Sequence, residues 1–108
     1  MTNREFIDKF VSGNLKQPAC CNHLLAVNDR LYSYSTEILH IDVENRLVEF
    51  NTAKYSRTTS KHQTMIRRSI NVYLPSFSLK EYDGDTNIYY WNYGYQGADV
   101  WRVRDIKS

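Results

Sequence analysis

Cysteine, proline and glycine are all scarce in this chain: two, two and four in 108 residues. The two cysteines, Cys20 and Cys21, are adjacent, and a trans peptide holds neighbouring Cα atoms closer than a disulfide prefers. A disulfide framework is therefore excluded, and a reducing compartment is expected. The shortage of glycine and proline excludes linkers, low-complexity segments and collagen-like repeats. No apolar run approaches the length of a membrane span, and the first residues carry no leader pattern. The expectation is a cytoplasmic protein without membrane contact.

Catalytic signatures are missing too. There is no G-x-S-x-G, no H-E-x-x-H and no glycine-rich phosphate loop. Asp83-Gly84-Asp85 has the look of a calcium loop, but the twelve-residue pattern does not follow, and a hairpin turn accounts for it better. Cys20-Cys21-Asn22-His23 contains soft ligands without the spacing of a zinc site, so no metal and no cofactor is expected. An enzyme would have to use His62 or His40 as acid–base, and no partner residue is placed by spacing. The length suits one domain over residues 1–108 and is far short of the roughly 250 residues of a (β/α)₈ barrel.

What is present is an uneven layout. Hydrophobic residues make up 42% of the chain, enough for one core, and the formal net charge is only +2. That small value conceals a block at residues 51–80 holding Lys54, Arg57, Lys61, Arg67, Arg68 and Lys80 with no acid. Acids outnumber bases on either side of it.

The local patterns predict an α+β domain: a small antiparallel sheet, made of a meander and a C-terminal hairpin, with two short helices. Thr2 and Glu5 have capping-box spacing, Phe6, Ile7, Phe10 and Val11 recur on one helical face, and Gly13 closes the turn. A helix over about 3–12 follows. Residues 15–22 read as irregular. Leu24–Val27, Asn28-Asp29 and Arg30–Tyr34 read as a hairpin. Alternation through residues 38–42 and 46–50 extends the meander, with Val48 and Phe50 opposite Leu47 and Glu49. Ser60 and Gln63 again have capping-box spacing, and Pro75 stops the pattern, which predicts a helix over about 60–73. Phe77–Tyr82 and two aromatic strands close the sheet. Strand edges near Ile88–Trp91 leave a homodimer open.

Two features suggest a contact surface. Lys54, Arg57, Lys61, His62, Arg67 and Arg68 fall on a polar loop and the helix after it, where free N–H groups, Thr58, Thr59 and Ser60 add donors for an anion. A solvated helix face is the plainer reading of the same charges. Tyr82, Tyr89, Tyr90, Trp91, Tyr93, Tyr95 and Trp101 crowd the last third. Core packing accounts for many of them, while Tyr93 and Tyr95, in a glycine-containing loop, look partner-facing.

Leu31-Tyr32-Ser33-Tyr34-Ser35-Thr36, followed by Asn51-Thr52-Ala53-Lys54-Tyr55-Ser56-Arg57-Thr58-Thr59-Ser60-Lys61-His62-Gln63, resembles a pattern in small proteins of bacteriophages and mobile elements. The resemblance spans about residues 24–70 and carries no established activity. It implies a phage-type setting and directs attention to Tyr55, Ser56, Thr58, Thr59, Ser60, Lys61 and His62. Together these readings predict a non-enzymatic binding protein. Its partner would be a host protein or nucleoprotein, as in the inhibition of a bacterial defence system, contacted through Lys54, Tyr55, Arg57, Thr58, Lys61, His62, Arg67, Arg68, Tyr93 and Tyr95. Direct binding of nucleic acid by the same surface is the alternative.

Overall fold

The protein is described by a computed structural model that covers residues 1–84 in full and the backbone of residues 88–92 and 100–105. Helix α1 (Asn3–Ser12) leads into strands β1 (Ala19–Cys21), β2 (Leu24–Val27), β3 (Arg30–Ser33), β4 (Thr36–Asp42) and β5 (Leu47–Asn51). Helix α2 (Arg57–Tyr73) follows, then β6 (Ser78–Asp83), β7 (Ile88–Asn92) and β8 (Val100–Asp105). All eight strands form one sheet in sequence order, so the α+β class holds.

Local chemistry accounts for most of these elements. Thr2 Oγ1 accepts from Glu5 N while the Glu5 carboxylate accepts from Thr2 N, a complete capping box. Gly13 takes φ 83°, a left-handed cap that a side chain would strain. Asn28 and Asp29 both have positive φ, 53° and 63°, the two-residue turn that matches the twist of a tight hairpin. Ala19–Cys21, expected to be irregular, is a short edge strand paired with β2.

The pairing registers put Leu24, Ala26, Leu31, Ser33, Leu39, Ile41, Val48 and Phe50 on one face, and all eight are buried. Between β3 and β4 the register shifts: Leu31 faces Leu39 and Tyr32 faces Glu37, leaving Ile38 without a partner. This bulge lets the consecutive Ile38 and Leu39 both be buried. Phe6, Ile7, Phe10 and Val11 of α1 and Ile66 and Ile70 of α2 cover that face. The other face carries a cross-strand row, Arg30–His40–Glu49–Lys80, in direct register over β3 to β6.

Two junctions depart from expectation. β5 and β6 pair in parallel, because α2 carries the chain back to the end of the sheet where β5 begins. The meander and the closing hairpin are thus joined through a crossover. β7 lies between β6 and β8, so Ile88–Trp91 offers no open edge; the outer strands are β1 and β8.

Candidate functional site: a pinned loop, a buried imidazole and a basic ridge

The segment from Asn51 to Gln63 carries most of the expected contact residues, and its shape is set by one buried amide. Asn51, at 2% exposure, ends β5. Its Oδ1 accepts from Ala53 N and Gly84 N, each at 3.0 Å, and its Nδ2 donates to Glu37 O and Tyr55 Oη, also at 3.0 Å. All four hydrogen-bonding positions of the amide are therefore used. The bond back to Ala53 is an Asx turn, a pattern short enough to be found in sequence. The Gly84 backbone approaches so closely that an added Cβ would lie 2.5 Å from Tyr55 Oη and 2.7 Å from Asn51 Nδ2.

Helix α2 starts earlier than its spacing suggests. Ser56 is the N-cap, and its Oγ accepts from Thr59 N at 3.1 Å. Ser60 is inside the helix. Gln63 caps nothing: its Nε2 donates to Asn51 O at 2.8 Å and to Ala53 O at 3.0 Å, fastening the loop to the second turn of α2.

His62 was expected on the contact surface. It is instead 1% exposed, because Thr59, His62, Ile66 and Ser69 follow the three–four spacing of the face turned to the sheet. Its Nδ1 is 2.8 Å from Ser33 Oγ, which lies 3.0 Å from Thr59 Oγ1. Burial, with a smaller contribution from nearby His23, holds the imidazole below the usual histidine pKa. This hydroxyl–imidazole chain has the composition of a catalytic arrangement, but Ser33, Thr59 and His62 are all buried. His40, the other histidine considered for acid–base work, is tied to Glu49 at 2.9 Å on the opposite sheet face.

The remaining cations divide into two groups. Arg67 reaches Glu81 at 3.3 Å and lies 5.0 Å above the Phe50 ring; Arg68 approaches Asp8 at 4.0 Å and Lys80 approaches Glu49 at 3.6 Å. Lys54, Arg57 and Lys61 are exposed and, among the described residues, pair with no acid. Arg57, Lys61 and Arg68 project within an arc of about 40° at 3.6 residues per turn, forming one ridge. Thr58 is half-buried and Tyr55 exposed, its hydroxyl bound to Asn51. Tyr93 and Tyr95 lie outside the described residues.

Beside the ridge, a groove of about 280 Å³ is lined by Phe50, Thr52, Lys54, Ser60, Gln63, Thr64 and Arg67. It brings Lys54 and Arg67, thirteen positions apart, to one concavity. Cys20 and Cys21 alternate across β1; Cys20 is exposed, while Cys21 Sγ donates to Asn3 Oδ1 at 3.6 Å. Among the described residues, no three His, Cys, Asp or Glu side chains gather as a metal site would need. Among the same residues no helix is long and apolar enough to cross a membrane.

No curated protein and no solved structure matches the chain. One family model, described as a family of unknown function (DUF8033), matches residues 6–84. Those residues include the whole Asn51–Tyr55–Gly84 arrangement, the buried histidine and the ridge. The match takes in well over half the chain, so the chain belongs to DUF8033, a family of unknown function.

Proposed function

We propose that this chain is a non-enzymatic binding protein that presents the N-terminal half of α2 and the loop before it to an acidic protein partner. The observation that carries the reading is the set of cations that pair with no acid among the described residues. Arg57 opens a helix whose first turn contains no acid, where a cation opposes the helix dipole. Lys61 sits one turn further on, a like charge at i+4. Each placement costs a few tenths of a kcal/mol, and among the described residues neither is offset by a neighbouring acid. An external anion offsets both. The non-enzymatic part of the reading is supported by the burial of Ser33, Thr59 and His62, none above 2% exposure.

The phage-type setting and the inhibition of a host defence system belong to the same proposal and rest on the resemblance of the Lys54–Gln63 segment; a cytoplasmic location belongs to it too and rests on the adjacent, unbridged cysteines. Direct contact with nucleic acid is the second reading, favoured by the alignment of Arg57, Lys61 and Arg68 on one ridge. Three phosphate contacts would give a salt slope of about −2.7 on duplex DNA, at about −0.9 for each.

The test is capture from bacterial lysate by the tagged protein, with and without nuclease, beside a variant carrying Lys54→Glu, Arg57→Glu and Lys61→Glu. A nuclease-resistant acidic protein, captured by the native chain and lost in the variant, is the expected result. Loss of every partner on nuclease treatment transfers the reading to nucleic acid. Undiminished capture by the variant overturns the choice of surface.

A further inference from the structure

We propose that the groove between the 52–54 loop and α2 is the specificity site of this surface, and that it takes one carboxylate side chain of an acidic peptide segment. This deepens the reading of the basic face and rests on it.

The groove is preformed. Thr52 N donates to Tyr82 O at 2.8 Å, and the Gln63 amide spans Asn51 O and Ala53 O, so one wall is fastened to β6 and to α2. Arg67 on the other wall is held over Phe50 and toward Glu81. A ligand therefore meets walls already ordered, and little conformational freedom is lost on binding.

Three properties choose the occupant. The first is size: about 280 Å³ lies at the low end for ligand pockets, suited to a side chain rather than a cofactor. The second is charge. Lys54 and Arg67 supply two positive charges and Glu81, on Arg67, removes one, which matches a singly charged carboxylate better than a dianionic phosphate. The third is the set of open valences. Lys54 Nζ and Ser60 Oγ have no protein partner among the described residues and can donate to a carboxylate. Gln63 Oε1 likewise has no partner and can accept a peptide N–H. A DNA phosphodiester offers no such donor.

The experiment uses the full chain labelled with ¹⁵N. It is titrated with capped hexaglutamate and, separately, with oligothymidylate of matching charge, in the native form and as Lys54→Gln and Arg57→Gln. Both variants remove one positive charge from an exposed side chain that makes no hydrogen bond among the described residues, so both should fold. The expected result has hexaglutamate shifting the Gln63 side-chain amide and the Ser60 and Thr64 backbone amides. Lys54→Gln should weaken that binding about tenfold, the worth of one charge-assisted hydrogen bond. Arg57→Gln, acting only through the longer-range field, should weaken it less than about threefold. Equal losses in the two variants overturn the groove and leave a diffuse basic face. Shifts at the groove with oligothymidylate but not with hexaglutamate overturn the carboxylate assignment. Absence of binding by either probe overturns the groove together with the basic-surface reading beneath it.

Discussion

His62 Nδ1 lies 2.8 Å from Ser33 Oγ, a contact between α2 and β3 with both residues 1% exposed. The far nitrogen, Nε2, is 3.4 Å from Asn3 Nδ2. Asn3 Oδ1 is already taken, accepting from Asn22 Nδ2 at 2.7 Å and Cys21 Sγ at 3.6 Å, so its amide N–H is the group turned to the ring. An amide N–H only donates, which makes Nε2 the acceptor and places the ring proton on Nδ1. The neutral imidazole thus ties the start of α1, the β1–β2 turn, β3 and α2 together. A protonated ring would set one N–H against another.

That arrangement predicts a loss of stability in mild acid. In the unfolded chain His62 protonates near the ordinary value of 6.5; in the fold its pKa is lowered, chiefly by burial and secondarily by His23. Below about pH 6.5 the unfolded chain therefore binds more protons than the folded one. The contribution is fully present above that pH and is lost as pH falls through the folded pKa. Melting temperatures between about pH 8 and about pH 5 should decline below neutrality in the native chain, and decline less in His62→Gln. Equal slopes for the two proteins would show that another group governs the transition.

The two serines near the start of α2 make opposite predictions. Ser56 Oγ accepts from Thr59 N, so Ser56→Ala should cost about 1 kcal/mol and lower the melting temperature by about 4–8 °C. Ser60 Oγ bonds nothing among the described residues, and Ser60→Ala should stay within about 0.5 kcal/mol of the native chain. Thermal denaturation of both variants decides where the helix begins. A larger loss at Ser60 would restore the later start.

These two serines also show why part of the fold was legible and part was not. Thr2 with Glu5, Gly13, Asn28-Asp29 and the alternation of Val48 and Phe50 act within a few residues, and each reads out as expected. Ser56-x-x-Thr59 and Ser60-x-x-Gln63 both resemble a helix start. The choice between them is made by Gln63 reaching back twelve residues to Asn51 O, a contact no local pattern contains. The parallel pairing of β5 with β6 is likewise set by packing of α2 on the sheet. His62 is a different case. Its spacing from Thr59, Ile66 and Ser69 places it on the buried stripe, and its membership of a basic block obscured that periodicity. Of the candidate site, Lys54, Arg57 and Lys61 were legible as cations. That these three of the block pair with no acid among the described residues required the positions of Asp8, Glu49 and Glu81.

Gly84→Ala tests the closeness of the β6 end to the pinned loop. The new methyl would meet Tyr55 Oη at 2.5 Å and Asn51 Nδ2 at 2.7 Å. Overpacking of this kind costs about 1–3 kcal/mol. Adding Tyr55→Phe removes the nearer of the two atoms, so the double variant should recover part of the loss relative to Gly84→Ala. The comparison is a double-mutant cycle in denaturant, with a coupling above about 0.5 kcal/mol expected. Additive effects would mean that Gly84 and Tyr55 do not touch.

Charge reversal at two positions of the basic block should move stability in opposite directions. Lys61→Glu replaces a like-charged pair with Arg57 at i, i+4 by an opposite-charged one. The change is favourable, by about 0.3–0.5 kcal/mol at low salt. Arg67→Glu does the reverse: it sets a carboxylate where a guanidinium now stands 3.3 Å from Glu81 and removes the cation above Phe50. A half-exposed ion pair and a cation–π contact together are worth about 1–2 kcal/mol, and the new repulsion adds to their loss. The two variants carry the same change in net charge, so any effect of overall charge cancels between them. Urea denaturation at low salt should raise the midpoint for Lys61→Glu and lower it for Arg67→Glu, and added salt should shrink the first shift more than the second. If both midpoints fall, the outward ridge is part of the folded core's support, and its cations are retained for stability rather than for a partner.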